Sequence, residues 1–155
     1  YPPQAIATAK KMANGVVYMR QSMKDEGVLD STWGGSLADM VRFCQEWQIV
    51  QVEKLIEAVP AKTEYLVARL RELQSAFPGV VSNIRGAGLY QGFSLSTPAL
   101  KSALVDRALE EESLLLLGAR RHSIRLRPHL HVTTADVDVL VKKLLAVLAR
   151  LTTAA

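Results

Sequence analysis

The chain has 155 residues, of which 49% are hydrophobic and 22% are charged, which is typical of a globular protein with its own core and excludes a disordered or fibrous chain. Nineteen Lys and Arg residues against fifteen Asp and Glu residues give a formal net charge of +4, and their dispersion argues against a nucleic-acid partner. The single cysteine, Cys44, excludes an internal disulfide and favours a reducing, cytoplasmic location. No apolar stretch approaches the ~20 residues of a membrane span, so we expect no membrane partner.

The first 35 residues are rich in turn formers, among them Tyr1-Pro2-Pro3, Asn14-Gly15 and Trp33-Gly34-Gly35. This composition predicts loops between short elements, which cannot fold alone. Residues 36–56 follow a helical period and predict one long helix. Its apolar stripe consists of Leu37, Met40, Val41, Cys44, Trp47, Val50 and Leu55.

A second helix is predicted over 62–76. Pro60 is expected to end the preceding helix or its neighbour, and Pro78-Gly79 closes the second helix. The next segment alternates between apolar and small or polar positions and predicts a strand with one buried face. The glycines of the sequence Arg85-Gly86-Ala87-Gly88 lead into it. Its buried positions are Leu89, Phe93 and Leu95.

The sequence Thr97-Pro98 predicts a helix cap before a helix over 100–111, because proline is tolerated at the first helical position. Leu114 to Leu117 predict a short buried strand that ends at Gly118. A further strand is predicted where Ile124 and Leu126 alternate with arginines, and Pro128 interrupts it.

The last helix has the clearest pattern, with apolar residues at i, i+3, i+4 and i+7. Thr133 or Thr134 is its predicted cap, and Asp136 and Asp138 stand in its positive first turn. Helices and mostly antiparallel strands after about residue 57 therefore predict an α+β fold. The stripe of this helix consists of Val137, Leu140, Val141, Leu144, Leu145, Leu148 and Leu151.

Two adjacent lysines, Lys10 and Lys11, lie between an apolar segment and a turn. Adjacent lysines are most often solvated surface residues. Alternatively, one partly desolvated amine beside a second cation can form a Schiff base. Spacing alone does not choose between these interpretations.

Three further groups of residues could bind ligands. The segment from Asp30 to Gly35 offers two hydroxyls and backbone N–H groups before a helix, which suits either an anion cradle or a simple helix cap.

Arg125 and Arg127 are two residues apart on a predicted strand, so their side chains lie on the same face of the sheet. There they could bind a carboxylate or simply be exposed to solvent. His129 and His131 lack an apparent third ligand, so no metal site is predicted.

Taken together, these segments resemble the C-terminal part of a class III (subgroup II) pyridoxal-phosphate aminotransferase. The resemblance spans nearly the whole chain and is greatest to the branch of L-lysine 6-aminotransferase and 4-aminobutyrate aminotransferase. Five motifs in the order and spacing of that family carry it: Ala9-Lys10-Lys11-Met12 followed by Gly15, Asp30 to Gly35, Leu37 to Arg42, Arg85 to Leu89, and Ile124 to Pro128.

The resemblance implies a role for individual residues. Lys10 resembles the lysine that holds pyridoxal 5'-phosphate covalently, although counting back from Gly15 would allow Lys11. Thr32, with Ser31 beside it, resembles the cofactor-phosphate site that the neighbouring subunit of a homodimer supplies. Arg125 resembles the arginine that pairs with the substrate α-carboxylate. A terminal amine, that of L-lysine, is then the expected donor and 2-oxoglutarate the acceptor.

The resemblance also implies a domain organisation. Residues 1–35 would be a remnant of the large cofactor-binding domain, 36–56 a linking helix, and 57–155 the small C-terminal domain of a fold-type I pyridoxal-phosphate transferase. The rest of the large domain has no counterpart here, and the chain starts with Tyr1 rather than Met. We therefore expect a fragment that is inactive alone; the alternative is a truncated, non-catalytic homologue acting as a folded interaction module.

Overall fold

The computed structural model describes residues 2–10, 15–22, 24 and 35–153, which fall into two compact units, 1–54 and 55–155. Each unit has its own secondary structure. None of the helices in the described ranges is long and apolar enough to cross a lipid bilayer.

The first unit contains a hairpin and a helix. Strands β1 (Ala5–Thr8) and β2 (Val16–Met19) pair antiparallel. Helix α1 (Leu37–Val52) begins at Ser36, whose hydroxyl accepts a hydrogen bond from the backbone N–H of Asp39 at 3.4 Å. The helix ends before the predicted residue 56, because Lys54 adopts a left-handed conformation, with φ 51°, that stops helical geometry.

The predicted apolar stripe of α1 is not a buried face. None of the residues of α1 is buried, and Leu37 is 77% exposed. The helical period was correct, but no described side chain covers the stripe. Leu55, which we expected at the end of the stripe, is instead buried in the second unit.

The second unit is an α+β layer that confirms the predicted fold class. Its elements are α2 (Val59–Ala76), β3 (Val81–Ala87), β4 (Tyr90–Leu95), α3 (Pro98–Glu112), β5 (Leu117–Ala119), β6 (Ser123–Leu126) and α4 (Thr134–Thr153). The sheet is antiparallel throughout, with strand order β3-β4-β6-β5. Pro60 does not end a helix as expected; it lies in the first turn of α2, where its missing N–H is tolerated.

Two strands differ from the prediction. Strand β3 was not expected, because its segment contains polar residues and a glycine instead of an apolar alternation. Leu114 to Leu117 were expected to form a buried strand, but β5 only begins at Leu117. In that segment Leu116 is buried whereas Leu115 is 72% exposed, because the chain is not yet in the sheet.

Helices α2, α3 and α4 pack on one face of this sheet and form the core with it. The predicted inward residues of β4 and β6, including Phe93 and Ile124, are buried there. Since side chains alternate along a strand, Gly92, Ser94, Ser123 and Arg125 lie on the opposite face of the sheet. This second face carries the candidate site.

Candidate functional site

Lys10 lies two residues after the end of β1, in the connection that leads to β2. Its side chain is exposed and its backbone is left-handed, with φ 62°. Within the described ranges it has neither a hydrogen bond nor an ion pair. Among the described residues, none pairs with this exposed primary amine, and none blocks the approach of an aldehyde to it. Lys11, the alternative lysine, lies outside the described residues.

The predicted anion cradle also lies outside the described residues, and with it Ser31 and Thr32. Their proposed contacts to a cofactor phosphate stay a prediction.

Arg125 occupies β6 as the alternation predicted. Its neighbours Ile124 and Leu126 are buried in the core, so the Arg125 side chain lies on the opposite face of the sheet. Arg125 is half-buried, and its Nε is buried without a hydrogen-bond partner in the part of the chain that the structure describes. A buried guanidinium N–H usually has a partner, so an absent acceptor is indicated here.

Arg127 does not share the strand with Arg125, because β6 ends at Leu126. Both arginines nevertheless line a cavity of about 310 Å³ whose other walls are mainly leucines and valines. Asp136 stands at the same cavity. The backbone N–H and hydroxyl of Thr133, both donating to this carboxylate, lower its pKa from the ordinary value.

Arg85 joins this face of the sheet, which the sequence analysis did not foresee. Its guanidinium donates to the Ser94 hydroxyl at 3.1 Å and to the Ser123 hydroxyl at 2.9 Å, and also to the Asn83 carbonyl at 2.7 Å. All three acceptors are neutral. The only sequence signal was the Arg85–Gly88 motif, which indicated the entry to a strand but not this partnership.

A second cleft, of about 400 Å³, lies where Arg85 and Arg125 approach each other. Arg120, in the turn between β5 and β6, also lines it. No carboxylate belongs to its described lining. Three arginines and no acidic residue in its described lining make this cleft favourable for an anion.

The described structure thus brings Arg125 together with Arg85 and Arg120 in the second unit, while Lys10 belongs to the first unit. What these arginines can do chemically is bind and orient a carboxylate through paired N–H donors.

Comparisons with known proteins agree with this architecture. Residues 1–148 match the family model described as aminotransferase class-III. An L-lysine-epsilon aminotransferase of Mycobacterium tuberculosis is 42% identical over 113 residues, which cover 73% of this chain and 25% of that protein. An acetylornithine aminotransferase of Thermosynechococcus vestitus is 30% identical over 157 residues, which cover 96% of this chain and 38% of that protein.

Solved structures show the same fold. The lysine aminotransferase of M. tuberculosis superposes with a TM-score of 0.87 at 34% identity, covering 96% of this chain and 36% of that chain. An S-selective transaminase from Arthrobacter sp., at 19% identity and a TM-score of 0.81, supports the fold alone.

The chain spans about a quarter of the length of the lysine-epsilon aminotransferases it matches and 38% of the acetylornithine enzyme. All but the last seven residues of the chain match the family model. The chain belongs to the class III aminotransferase family, whose members depend on pyridoxal 5'-phosphate.

Proposed function

We propose that this chain is the C-terminal portion of an aminotransferase that moves a terminal amino group from L-lysine to 2-oxoglutarate. The family match over residues 1–148 carries the proposal. The relatives, an L-lysine-epsilon and an acetylornithine aminotransferase, support an amino donor with an amine remote from its α-carboxylate. In this assignment 1–35 belong to the large domain, 36–56 form the linking helix and 57–155 form the small domain.

Lys10 fits the group that the reaction needs, because its exposed amine has no competing partner within the described residues. When bound, pyridoxal 5'-phosphate supplies an electron sink for the substrate carbon. Lys10 would hold the cofactor through Nζ. Once the substrate amine had taken its place, the freed Lys10 amine would accept the proton from the carbon that carries the substrate amine, as a general base. Lys11 is the alternative for the same role.

Arg125 would orient the substrate by binding its carboxylate. A half-buried guanidinium on a strand is pre-organised for a bidentate contact, and fixing the carboxylate fixes the adjacent C–H bond. Ser31 and Thr32 are proposed to bind the cofactor phosphate across the interface of a homodimer. A cytoplasmic location is part of the same proposal.

The second candidate is a truncated homologue that acts only as a folded interaction module. The observation in its favour is that residues 55–155 contain a core of their own. It predicts a folded protein without bound cofactor.

The test uses the longest natural polypeptide that contains this sequence, reconstituted with pyridoxal 5'-phosphate. Lys10→Ala should abolish the visible-edge absorbance of the covalently held cofactor and lower kcat by at least the ~10²- to 10⁴-fold typical of a lost general base. Lys11→Ala is the matched control and should retain both signals. If Lys11→Ala loses both signals and Lys10→Ala keeps them, Lys11 has the role instead of Lys10. If the parent protein shows neither cofactor absorbance nor activity, only the second candidate, the interaction module, remains.

A further inference from the structure

An apolar cavity of about 310 Å³ lies at the end of β6, within the second unit. Apart from two arginines and Asp136, each described residue that lines it is a leucine, a valine or a proline. Its walls come from α2, the segment before β5, the segment after β6 and the first turns of α4. Most small-molecule sites are apolar cavities of about this size or larger, with a few polar groups that orient the ligand.

Hydrogen bonds between distant parts of the chain hold the walls of this cavity. Lys62 Nζ on α2 donates to the Leu130 carbonyl at 2.6 Å and so ties the segment after β6 to α2. A lysine near the N-terminus of a helix meets the positive end of the helix dipole, so this contact offsets an unfavourable position. The reciprocal bonds between Thr133 and Asp136 fix the start of α4 at the other end of that segment. The cavity is therefore part of the folded chain without a ligand.

Arg127 places a positive charge at the rim of the cavity. It is exposed, it follows the last residue of β6, and it has neither a hydrogen bond nor an ion pair among the described residues. The carboxylate of Asp136 forms no ion pair with it and instead accepts from the backbone N–H and the hydroxyl of Thr133. An apolar cavity with an unpaired guanidinium at its rim is complementary to an aliphatic chain that ends in a carboxylate.

The volume limits the length of that chain. At the ~30 Å³ that each water occupies in the liquid, a cavity of about 310 Å³ holds about ten heavy atoms, which is the size of octanoate. We propose that this cavity binds an aliphatic monocarboxylate of the size of octanoate, with its chain against the leucines and valines and its carboxylate on Arg127. Arg125 also lines the cavity, but the inference does not use the role proposed for Arg125 in the reaction.

The test measures binding to the 155-residue chain without cofactor, by NMR titration of the backbone amides of residues 126–140. The probes are butanoate, hexanoate, octanoate, decanoate and octan-1-ol. Each methylene added up to octanoate should tighten binding about fourfold, as expected for the burial of one CH₂ group. Decanoate should bind no more tightly than octanoate, because the cavity is then full. Octan-1-ol should bind about tenfold more weakly than octanoate, because it lacks the charge-assisted contact.

The contact with the carboxylate is tested by removing the charge at the rim. Arg127→Gln should make octanoate bind as weakly as octan-1-ol does. Arg121→Gln is the matched control, because it removes the same charge from an exposed arginine that does not line the cavity. It should keep the tenfold preference for octanoate.

The apolar wall is tested at Leu115, which lines the cavity and is nevertheless 72% exposed. Leu115→Asp should therefore leave the fold intact, and it should weaken octanoate at least tenfold because it places a carboxylate beside the aliphatic chain. Leu109→Asp, on an exposed side chain of α3 away from the cavity lining, is the matched control. It should leave the affinity for octanoate unchanged.

An affinity that does not depend on chain length would overturn the site, as would an equal loss in Leu115→Asp and Leu109→Asp. Further tightening from octanoate to decanoate would show unspecific apolar association and would also overturn it. Unchanged octanoate binding in Arg127→Gln would overturn the place of the carboxylate. None of these measurements involves the cofactor, so their failure can be distinguished from a failure of the Lys10 test.

Discussion

Gly86 shows how a single hydrogen in place of a side chain allows two strands to meet. A Cβ at this position would lie 2.1 Å from the Tyr90 carbonyl oxygen and 2.8 Å from the Cα of Gln91. Both atoms belong to the backbone of β4, so neither can rotate away. The glycine of the Arg85–Gly88 motif is therefore explained by strand pairing in the second unit.

Gly86→Ala should destabilise the chain by about 1–3 kcal/mol, the usual cost of inserting a group where backbone must move. The midpoint of urea unfolding measures it. Gly118→Ala is the control, because the nearest atoms to its Cβ belong to the flexible Lys101 side chain at 3.7 Å. The control should change stability by less than about 0.5 kcal/mol. Equal midpoints for the two variants would contradict the steric explanation.

The arginines show which residue-level features the sequence could predict. The direction of Arg125 followed from the two-residue period of a strand, which needs only its immediate neighbours. The two serine partners of Arg85 are 9 and 38 positions away along the chain. Their proximity depends on the strand order, which no local pattern contains.

Helix α4 is the element that the sequence predicted best, because its start and its buried face are both encoded locally. The Thr133 hydroxyl accepts from the Asp136 backbone N–H at 3.2 Å, and Asp136 accepts from the Thr133 backbone N–H at 2.9 Å. These reciprocal bonds confirm Thr133 as the predicted cap. Val137, Val141 and Leu144 are buried as the period required.

The cap makes stability depend on pH at the acidic end. Because Thr133 lowers the pKa of Asp136 in the folded state, the carboxylate stabilises the fold above its unfolded pKa, about 4. That contribution is lost as the pH falls through the lower, folded value. Asp136→Asn should therefore flatten the acid limb of a plot of urea midpoint against pH.

Asp106→Asn, on the exposed side of α3, is the comparison for Asp136→Asn because it removes a carboxylate without a partner among the described residues. It should keep the slope of the parent between about pH 5 and pH 2. The role assigned to Asp136 fails if its variant runs parallel to the parent across that range.

The elements that were misjudged share a physical cause. The period of α1 marks a face suited to packing, but it does not say that any described residue packs there. Strand β3 is held by its pairing with β4, with a register irregularity between Ser82 and Arg85, so its own residues need little apolar character. In both cases the local sequence pattern does not decide whether a helix face is buried or a strand forms. Tertiary contacts, or their absence among the described residues, decide it.

At the scale of the whole molecule, apolar burial is divided very unequally. No described residue of the first unit is buried, whereas the core of the second unit draws on α2, α3, α4 and the sheet. Because burial of apolar surface is the main favourable term in folding, stability should reside in residues 55–155.

A fragment of residues 55–155 should therefore fold alone and unfold in urea in one cooperative transition, with a slope of about 1 kcal/mol/M as expected for a small domain. Residues 1–54 alone should show no such transition. Leu70→Ala in the larger fragment, at a position with no exposed surface, should cost about 2–5 kcal/mol and so show that the transition reports the core. Leu109→Ala, on an exposed side chain of α3, should change stability little. A gradual, non-cooperative transition in 55–155, or equal effects of the two leucine variants, would show that the core needs residues outside this fragment.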